Sequence, residues 1–260
     1  MIRRLVLTLI ALAALGFAAG PGAAAAETVG VVVMHGKDAK PSHPGVAPLA
    51  RALASSGFLV DEPDLPWAER RGYDVDYERA MTEIDAAVAR LKARGATAIV
   101  VAGHSLGANA AIGYGARRQG LKAVVALAPG HVVDTPAMRE QFAESVARAR
   151  ALVAAGQGEE SESFADRNGG VTFQRHVRAR VYLSYFDPEG PAAMSLNAAK
   201  ESAPVLWVVG ARDALAKLGP GYVFAKIPAN PRNQYASVDA DHMNTATEAA
   251  PLVVAWLKGL

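Results

Sequence analysis

The 260 residues carry 27 Lys and Arg against 25 Asp and Glu, a formal net charge of +2, and 51% of the chain is apolar, enough to bury one full-sized core. Near-neutral charge, with no basic stripe interleaved with aromatics, excludes nucleic acid as an expected partner. The absence of cysteine excludes disulfides, a thiolate nucleophile and a lipid-modified N-terminal cysteine.

Residues 1–26 have the make-up of an export signal. Arg3 and Arg4 form a charged start, residues 5–19 an apolar stretch, Gly20-Pro21-Gly22 a break, and the alanines at 23–26 a small-residue cleavage region before Glu27. Cleavage there leaves a nearly neutral mature protein, expected in the periplasm or secreted, with contact to a membrane only during export. No other run is long enough to span a bilayer.

Residues 28–34 are a continuous β-branched run, the mark of a strand buried on both faces of a parallel sheet. The run ends at His35-Gly36-Lys37 and a proline-rich loop. Val46, Leu49, Ala50 and Leu53 have helical spacing, closed by Gly57. A second strand at 58–60 leads into an acidic, proline-containing loop ending at Trp67. Tyr77, Met81, Ile84, Val88 and Leu91 step by four, three, four and three along one helix face, with Asp76 as a cap and Lys92, Arg94 and Gly95 suited to the end.

The next apolar strand, 98–102, stops at Gly103-His104-Ser105-Leu106-Gly107, and a small-residue helix begins near Leu106. This is the pattern G-x-S-x-G in the strand–turn–helix setting that gives it meaning. A strand turning directly into a helix leaves its corner residue at strained dihedrals with almost no room beside it. Glycines two residues on either side of Ser105 remove the side chains that would collide, and the hydroxyl is held out above a helix N-terminus that favours negative charge.

A further strand at 123–128 ends in Pro129-Gly130-His131. From 131 to 202 the alternation of strands and helices is interrupted. Residues 137–154 read as a helix and 156–170 as a charged loop with glycines at 156, 158, 169 and 170 as hinges, followed by irregular and helical pieces. Strands at 204–209 and 234–238 resume the sheet, ending at Gly210-Ala211-Arg212-Asp213 and Asp239-Ala240-Asp241-His242, and a helix with Leu252, Val253 and Trp256 closes the chain. The alternation predicts a mostly parallel α/β sheet with ligands at the strand carboxyl ends.

A serine hydroxyl needs a base to take its proton, and the base needs a carboxylate to hold its tautomer. Partners for Ser105 should therefore lie at strand carboxyl ends, where His242 and Asp213 are found. Asp134 is a rival for the acid, Asp187 and Asp239 weaker ones, and Asp241 is expected to shape the histidine loop. His35, His43, His104 and His131 also fall near strand ends, but their spacing matches no metal-ligand pattern and they read as loop or packing residues. Trp67, Tyr185 and Phe186 read as packing aromatics that could also line an acyl pocket. Lys37, Arg70 and Arg71 read as solvated surface charge.

With Met34-His35-Gly36, Gly103-His104-Ser105-Leu106-Gly107, Gly210-Ala211-Arg212-Asp213 and Asp241-His242-Met243 in view, the chain resembles the α/β-hydrolase superfamily over the whole of residues 28–260. The resemblance implies a three-layer fold with Ser105 as nucleophile, His242 as base and Asp213 as orienting acid. It places the oxyanion hole at the backbone N–H groups of Leu106 and Lys37, and it calls for no cofactor and no metal. Many members begin with two antiparallel strands absent here, so a sheet of about six strands is expected. Residues 131–202 take the place of the lid, expected to be small and helical, with residues 182–186 bordering the pocket. The activity implied is hydrolysis of a small-molecule carboxylic ester through an acyl-enzyme. A thioesterase, amidase or perhydrolase on the same triad, or a non-catalytic envelope binding protein, are the alternatives, because fold does not fix substrate.

Overall fold

A computed structural model describes residues 27–260, so the export-signal reading of residues 1–26 lies outside the described residues. In chain order the elements are β1 (Val29–Met34), α1 (Ala47–Ser55), β2 (Leu59–Asp61), α2 (Tyr77–Ala93), β3 (Ala98–His104), α3 (Leu106–Gly115) and β4 (Ala123–Leu127). Then follow α4 (Pro136–Ala154), β5 (Ser161–Asn168), β6 (Val171–Arg178), α5 (Ala179–Phe186), α6 (Met194–Ala198), β7 (Val205–Gly210), β8 (Gln234–Val238), α7 (Thr245–Glu248) and α8 (Ala250–Lys258). Six strands form one sheet in the order β2-β1-β3-β4-β7-β8, with every neighbouring pair parallel, as the apolar runs implied.

The central strands are apolar at successive positions because both faces are covered. Val32, Met34, Val101, Val124 and Ala126 point into a core shared with α2, α3, α4 and α5. Val31, Val33, Val100, Val125 and Leu127 point into the opposite core, against Leu49 and Leu53 of α1 and Val253 and Leu257 of α8. The helices follow local rules: Asp76 caps α2 by accepting from the Arg79 N–H at 2.8 Å, and Pro48 sits in the first turn of α1, where a missing N–H costs nothing. The parallel register pairs Met34 with Gly103, His104 with Leu127 and Gly210 with Val238, so the loops after β1, β3, β4, β7 and β8 emerge along one edge of the sheet.

The insertion leaves that edge after β4 and differs from its sequence reading in its loop and in its aromatic residues. Residues 156–170 are not a charged loop: most of them belong to an antiparallel hairpin, β5–β6, joined by Gly169 (φ 55°) and Gly170 (φ 86°). Both turn residues are left-handed, as a two-residue hairpin turn requires, so these glycines make a turn and not a hinge. Half of its strand residues are exposed, which leaves a weak apolar pattern; Phe164, Asp166 and Val177 are its buried members. The insertion is thus three helices and a hairpin. Tyr182, Tyr185 and Phe186, expected at the pocket border, are at most 1% exposed. Phe186 stacks on Tyr182 at 4.4 Å and meets the His131 ring edge-on at 4.9 Å, while Tyr185 meets Tyr73 at 4.6 Å. They weld the insertion to the body of the molecule.

One buried group stands apart from this packing. Glu201, 3% exposed, follows α6 and lies so close to the end of α3 that a Cβ on Gly115 would stand 2.3 Å from its Oε2. Neither of its oxygens has a hydrogen-bond partner among the described residues, and burial pushes its carboxyl up to about 8. Above the ordinary glutamate pKa, the folded protein holds a proton that the unfolded chain releases. Stability is therefore lost as pH rises from about 4.5 toward 8, by roughly 1.4 kcal/mol per pH unit from this group. Glu201→Gln, which is neutral throughout, should be more stable than the parent by roughly 2 kcal/mol or more at about pH 8 and nearly equal to it at about pH 4. Urea unfolding at both pH values reads this directly, and a difference independent of pH would show that ionisation of Glu201 plays no part.

Candidate active site

Ser105 is the single residue between β3 and α3, at φ 56° and ψ −118°. That left-handed corner is costly for a residue with a side chain, and the surrounding glycines make it possible. A Cβ on Gly103 would stand 2.1 Å from the Gly107 carbonyl oxygen, and one on Gly107 would stand 2.4 Å from the carbonyl oxygen of Met34. The elbow is therefore wedged against the end of β1, and Gly36, just beyond, comes close to the Ser105 side chain. On the other side the chain leaving β4 crosses over Ser105. Gly130 N–H donates to the Ser105 carbonyl at 3.1 Å, and a Cβ on Gly130 would stand 2.6 Å from Oγ.

The structure brings together the three side chains picked out at the strand ends. Ser105 Oγ lies 3.0 Å from His242 Nε2, and His242 Nδ1 lies 2.7 Å from Asp213 Oδ2. Asp213 follows β7, and its second oxygen accepts from the Leu215 N–H at 2.9 Å. Burial opposes its charge, yet the hydrogen bonds from His242 and Leu215 hold the carboxyl below its usual range. A carboxylate on Nδ1 keeps the imidazole proton on that side and leaves Nε2 free to accept from the serine. Leu106 opens α3, where a backbone N–H has no acceptor within the helix.

The rival acids are engaged elsewhere. Asp134 accepts from the Ser195 N–H at 2.9 Å and from the Tyr222 hydroxyl; Asp187 pairs with Arg150 at 2.7 Å; Asp239 is exposed beside Arg212. Asp241 accepts from the Asn244 N–H at 2.8 Å and so shapes the loop carrying His242.

The other histidines have separate tasks. His35 donates from Nδ1 to the Gly36 carbonyl at 2.8 Å and accepts at Nε2 from the Leu65 N–H at 3.3 Å, while His131 donates to the Tyr185 carbonyl at 2.8 Å. His104 has the closest bearing on the site. Burial, with His242 nearby, pushes it down to about 4, so it is neutral, and its Nε2–H donates to the His242 carbonyl at 2.8 Å. A residue read as packing thus holds the backbone of the histidine loop; its place inside the serine motif was the only hint. Among the described residues no group of three or more His, Cys, Asp or Glu side chains is arranged to hold a metal ion.

The surface-charge reading fails for two of its three residues. Arg70 is exposed, but Arg71 is half-buried and paired with Asp74 at 2.9 Å and Glu83 at 2.6 Å. The Lys37 side chain is only 7% exposed and meets Asp166 of β5 at 2.5 Å. Nothing local in the sequence signals a partner so far along the chain. Trp67, fully buried, donates from Nε1 to the His35 carbonyl at 2.8 Å and is a packing residue.

A family model described as the alpha/beta hydrolase family matches residues 31–255. No curated protein matches the sequence. Among solved structures, the monoacylglycerol lipase of Paleococcus ferrophilus superposes with a TM-score of 0.63 at 23% identity, covering 90% of this chain and 96% of that one. An esterase of Pyrococcus furiosus gives 0.61 at 18% identity, covering 90% and 82%. A thioesterase domain from the curacin biosynthetic pathway gives 0.55 at 14% identity, covering 90% and 92%. At such identities the likeness is one of fold, and the same fold serves esters and thioesters alike.

Proposed function

The chain belongs to the α/β-hydrolase family, and from that premise we propose that it is a serine hydrolase cleaving a small-molecule carboxylic ester. The observation that carries this reading is the unbroken relay from Asp213 through His242 to Ser105, at 2.7 Å and 3.0 Å, set on the strained elbow. In this reading Ser105 Oγ attacks the ester carbonyl as His242 Nε2 takes its proton, and Asp213 stabilises the imidazolium. The backbone N–H groups of Leu106 and Lys37 receive the negative charge of the tetrahedral oxygen, each worth about 3 kcal/mol in the transition state. The imidazolium returns its proton to the departing alkoxide, leaving an acyl-Ser105 that water, activated by the same histidine, hydrolyses. No cofactor enters the scheme. The make-up of residues 1–26 supports export to the periplasm or beyond as the setting.

A fluorophosphonate probe tests the reading most directly. One equivalent should attach to the purified protein, mass spectrometry should place it on Ser105, and p-nitrophenyl esters should compete for it. A folded protein that takes up no probe would return the chain to the class of binding proteins that keep the fold without the chemistry.

A further inference from the structure

The loop that follows β1 is held from two directions. On one side the Asp38 N–H donates to the Trp67 carbonyl at 2.9 Å, beside the Trp67 bond to His35. On the other side lies the insertion hairpin, and its hold is ionic. Lys37 Nζ donates to Asp166 Oδ1 at 2.5 Å and to the Arg167 carbonyl at 3.0 Å, with the ring of Phe186 5.1 Å away. The other oxygen of Asp166 accepts from Arg175 Nε at 2.6 Å. Arg175 then reaches back to both oxygens of Asp38, at 2.8 Å and 2.9 Å. Two cations and two anions close a neutral ring that starts and ends on adjacent residues.

The ring is largely removed from water. The side chain of Asp166 is 0% exposed, Arg175 13% and Asp38 24%, and Arg175 lies over the rings of Tyr73 and Phe173 at 5.0 Å and 5.1 Å. Burial works against the Asp166 charge, but Lys37 and Arg175 hold its carboxyl below the usual range. Any movement that opened the ring would leave a buried charge without its partner, so the loop and the hairpin move together or not at all. The loop carries strain at the point of attachment: Asp38 has φ 53°, a left-handed value uncommon in residues other than glycine. Asn168 of the hairpin adds a third hold, donating to Asp38 at 3.0 Å.

A hairpin serving only to glue the insertion down could take its ion pairs anywhere on the body. Here the body's charged partners in the ring are the two residues directly after Gly36, which itself approaches the Ser105 Cβ so closely that a Cβ of its own would stand 3.2 Å away. The direction of the Lys37 N–H depends on the dihedrals of Gly36 and Lys37, and the ring anchors the chain on the far side of that peptide.

We propose that Lys37, Asp38, Asp166 and Arg175 form a positioning clamp, through which the insertion hairpin aims the backbone N–H of Lys37 at the oxygen of the tetrahedral intermediate. The proposal rests on the reading of Ser105 as nucleophile and of that N–H as an oxyanion donor. The hairpin is then part of the frame of the site and not a gate over it. The four side chains are positioning residues, acting on the reaction through one peptide group.

The test compares the full chain with the double variant Lys37→Met/Asp166→Asn, which keeps the backbone donor and removes one charge of each sign, leaving Arg175 paired with Asp38. Competent sites are counted by the endpoint of fluorophosphonate labelling. Removal of an oxyanion donor costs about 10²–10³ in kcat, so a misaimed one should lower kcat per labelled site about 10-fold or more, with KM within about 2-fold. Affinity for a trifluoromethyl ketone, which forms a tetrahedral adduct on the serine, should fall in parallel. Arg175→Lys, which keeps the charge but cannot reach both carboxylates, should show a smaller loss of the same kind and serves if the double variant does not fold. Glu162→Gln, which breaks the surface pair between this hairpin and Arg148 of α4, should leave all three quantities unchanged. Unaltered kcat per site, or a lower kcat with undiminished ketone affinity, overturns the clamp. Fewer competent sites with normal turnover overturns it too, since that is the mark of a merely structural tie. A parent protein that does not label at Ser105 overturns the hydrolase reading, and the catalytic role of the clamp with it.

Discussion

Ser105→Ala is expected to lower ester turnover by about 10⁴-fold or more while leaving the protein folded. The loss is large because no neighbouring group can replace the hydroxyl. Among the described residues the oxygen lies 3.0 Å from the one base that reaches it, His242, and Gly130 is pressed so close that even a methyl group there would collide with Oγ. The fold should be indifferent, because the neighbouring glycines meet the backbone and the Cβ of Ser105, which alanine keeps, and only the contact of Gly130 with Oγ is lost. Alanine accepts the left-handed corner no worse than serine, and removing a polar group from a strained catalytic corner often stabilises. Steady-state kinetics with a p-nitrophenyl ester, alongside a urea-unfolding curve, measures both halves of the expectation. Hydrolysis at the parent rate by a folded Ser105→Ala protein would remove the serine mechanism altogether.

Asp213→Asn should come close to the same loss, about 10⁴-fold in kcat, by a different route. The Leu215 N–H favours an oxygen at Oδ1, which turns the new amide NH₂ toward His242 Nδ1. The imidazole must then offer a lone pair there and carry its proton on Nε2, facing Ser105 with a donor where an acceptor is needed. Hydroxide can partly replace the missing base, so activity should recover as pH rises, whereas that of Ser105→Ala should not. Asp134→Asn should cost less than about 10-fold, because Asp134 holds Tyr222 and Ser195 and does not touch His242. The reverse ranking of the two variants would move the acid to the end of β4.

How far the sequence reaches depends on whether a signal is local. The apolar runs at 28–34, 98–102, 123–128 and 204–209 announce strands covered on both faces, because a buried parallel strand has no solvent side to call for polar alternation. The elbow is equally legible, since two glycines two residues from a serine answer a steric demand made within five residues. Ser105, His242 and Asp213 could be picked out because parallel strands deliver their carboxyl ends to one edge whatever the loops do. Asp213, favoured over Asp134 by the resemblance, lies 2.7 Å from His242 in the folded chain, while Asp134 meets Tyr222 and Ser195, and those distances exist only after folding.

The hairpin β5–β6 belongs wholly to tertiary structure. Its strands are rich in charge and half exposed, and the short alternation of Val171, Phe173 and Val177 is broken by Arg175, so they gain their stability from docking. The same holds for its consequence. Lys37 resembles any surface lysine until Asp166, 129 residues on, is brought against it, and Glu201 looks like a solvated carboxylate until α3 closes over it. A sequence by itself determined which segments must be buried and where a serine could be held at a strained corner, because hydrophobic patterning and backbone sterics act over a few residues. Which charges lose their water, and which partners they then meet, was decided by the packing of segments far apart in the chain, because the cost of burying a charge depends on everything that surrounds it.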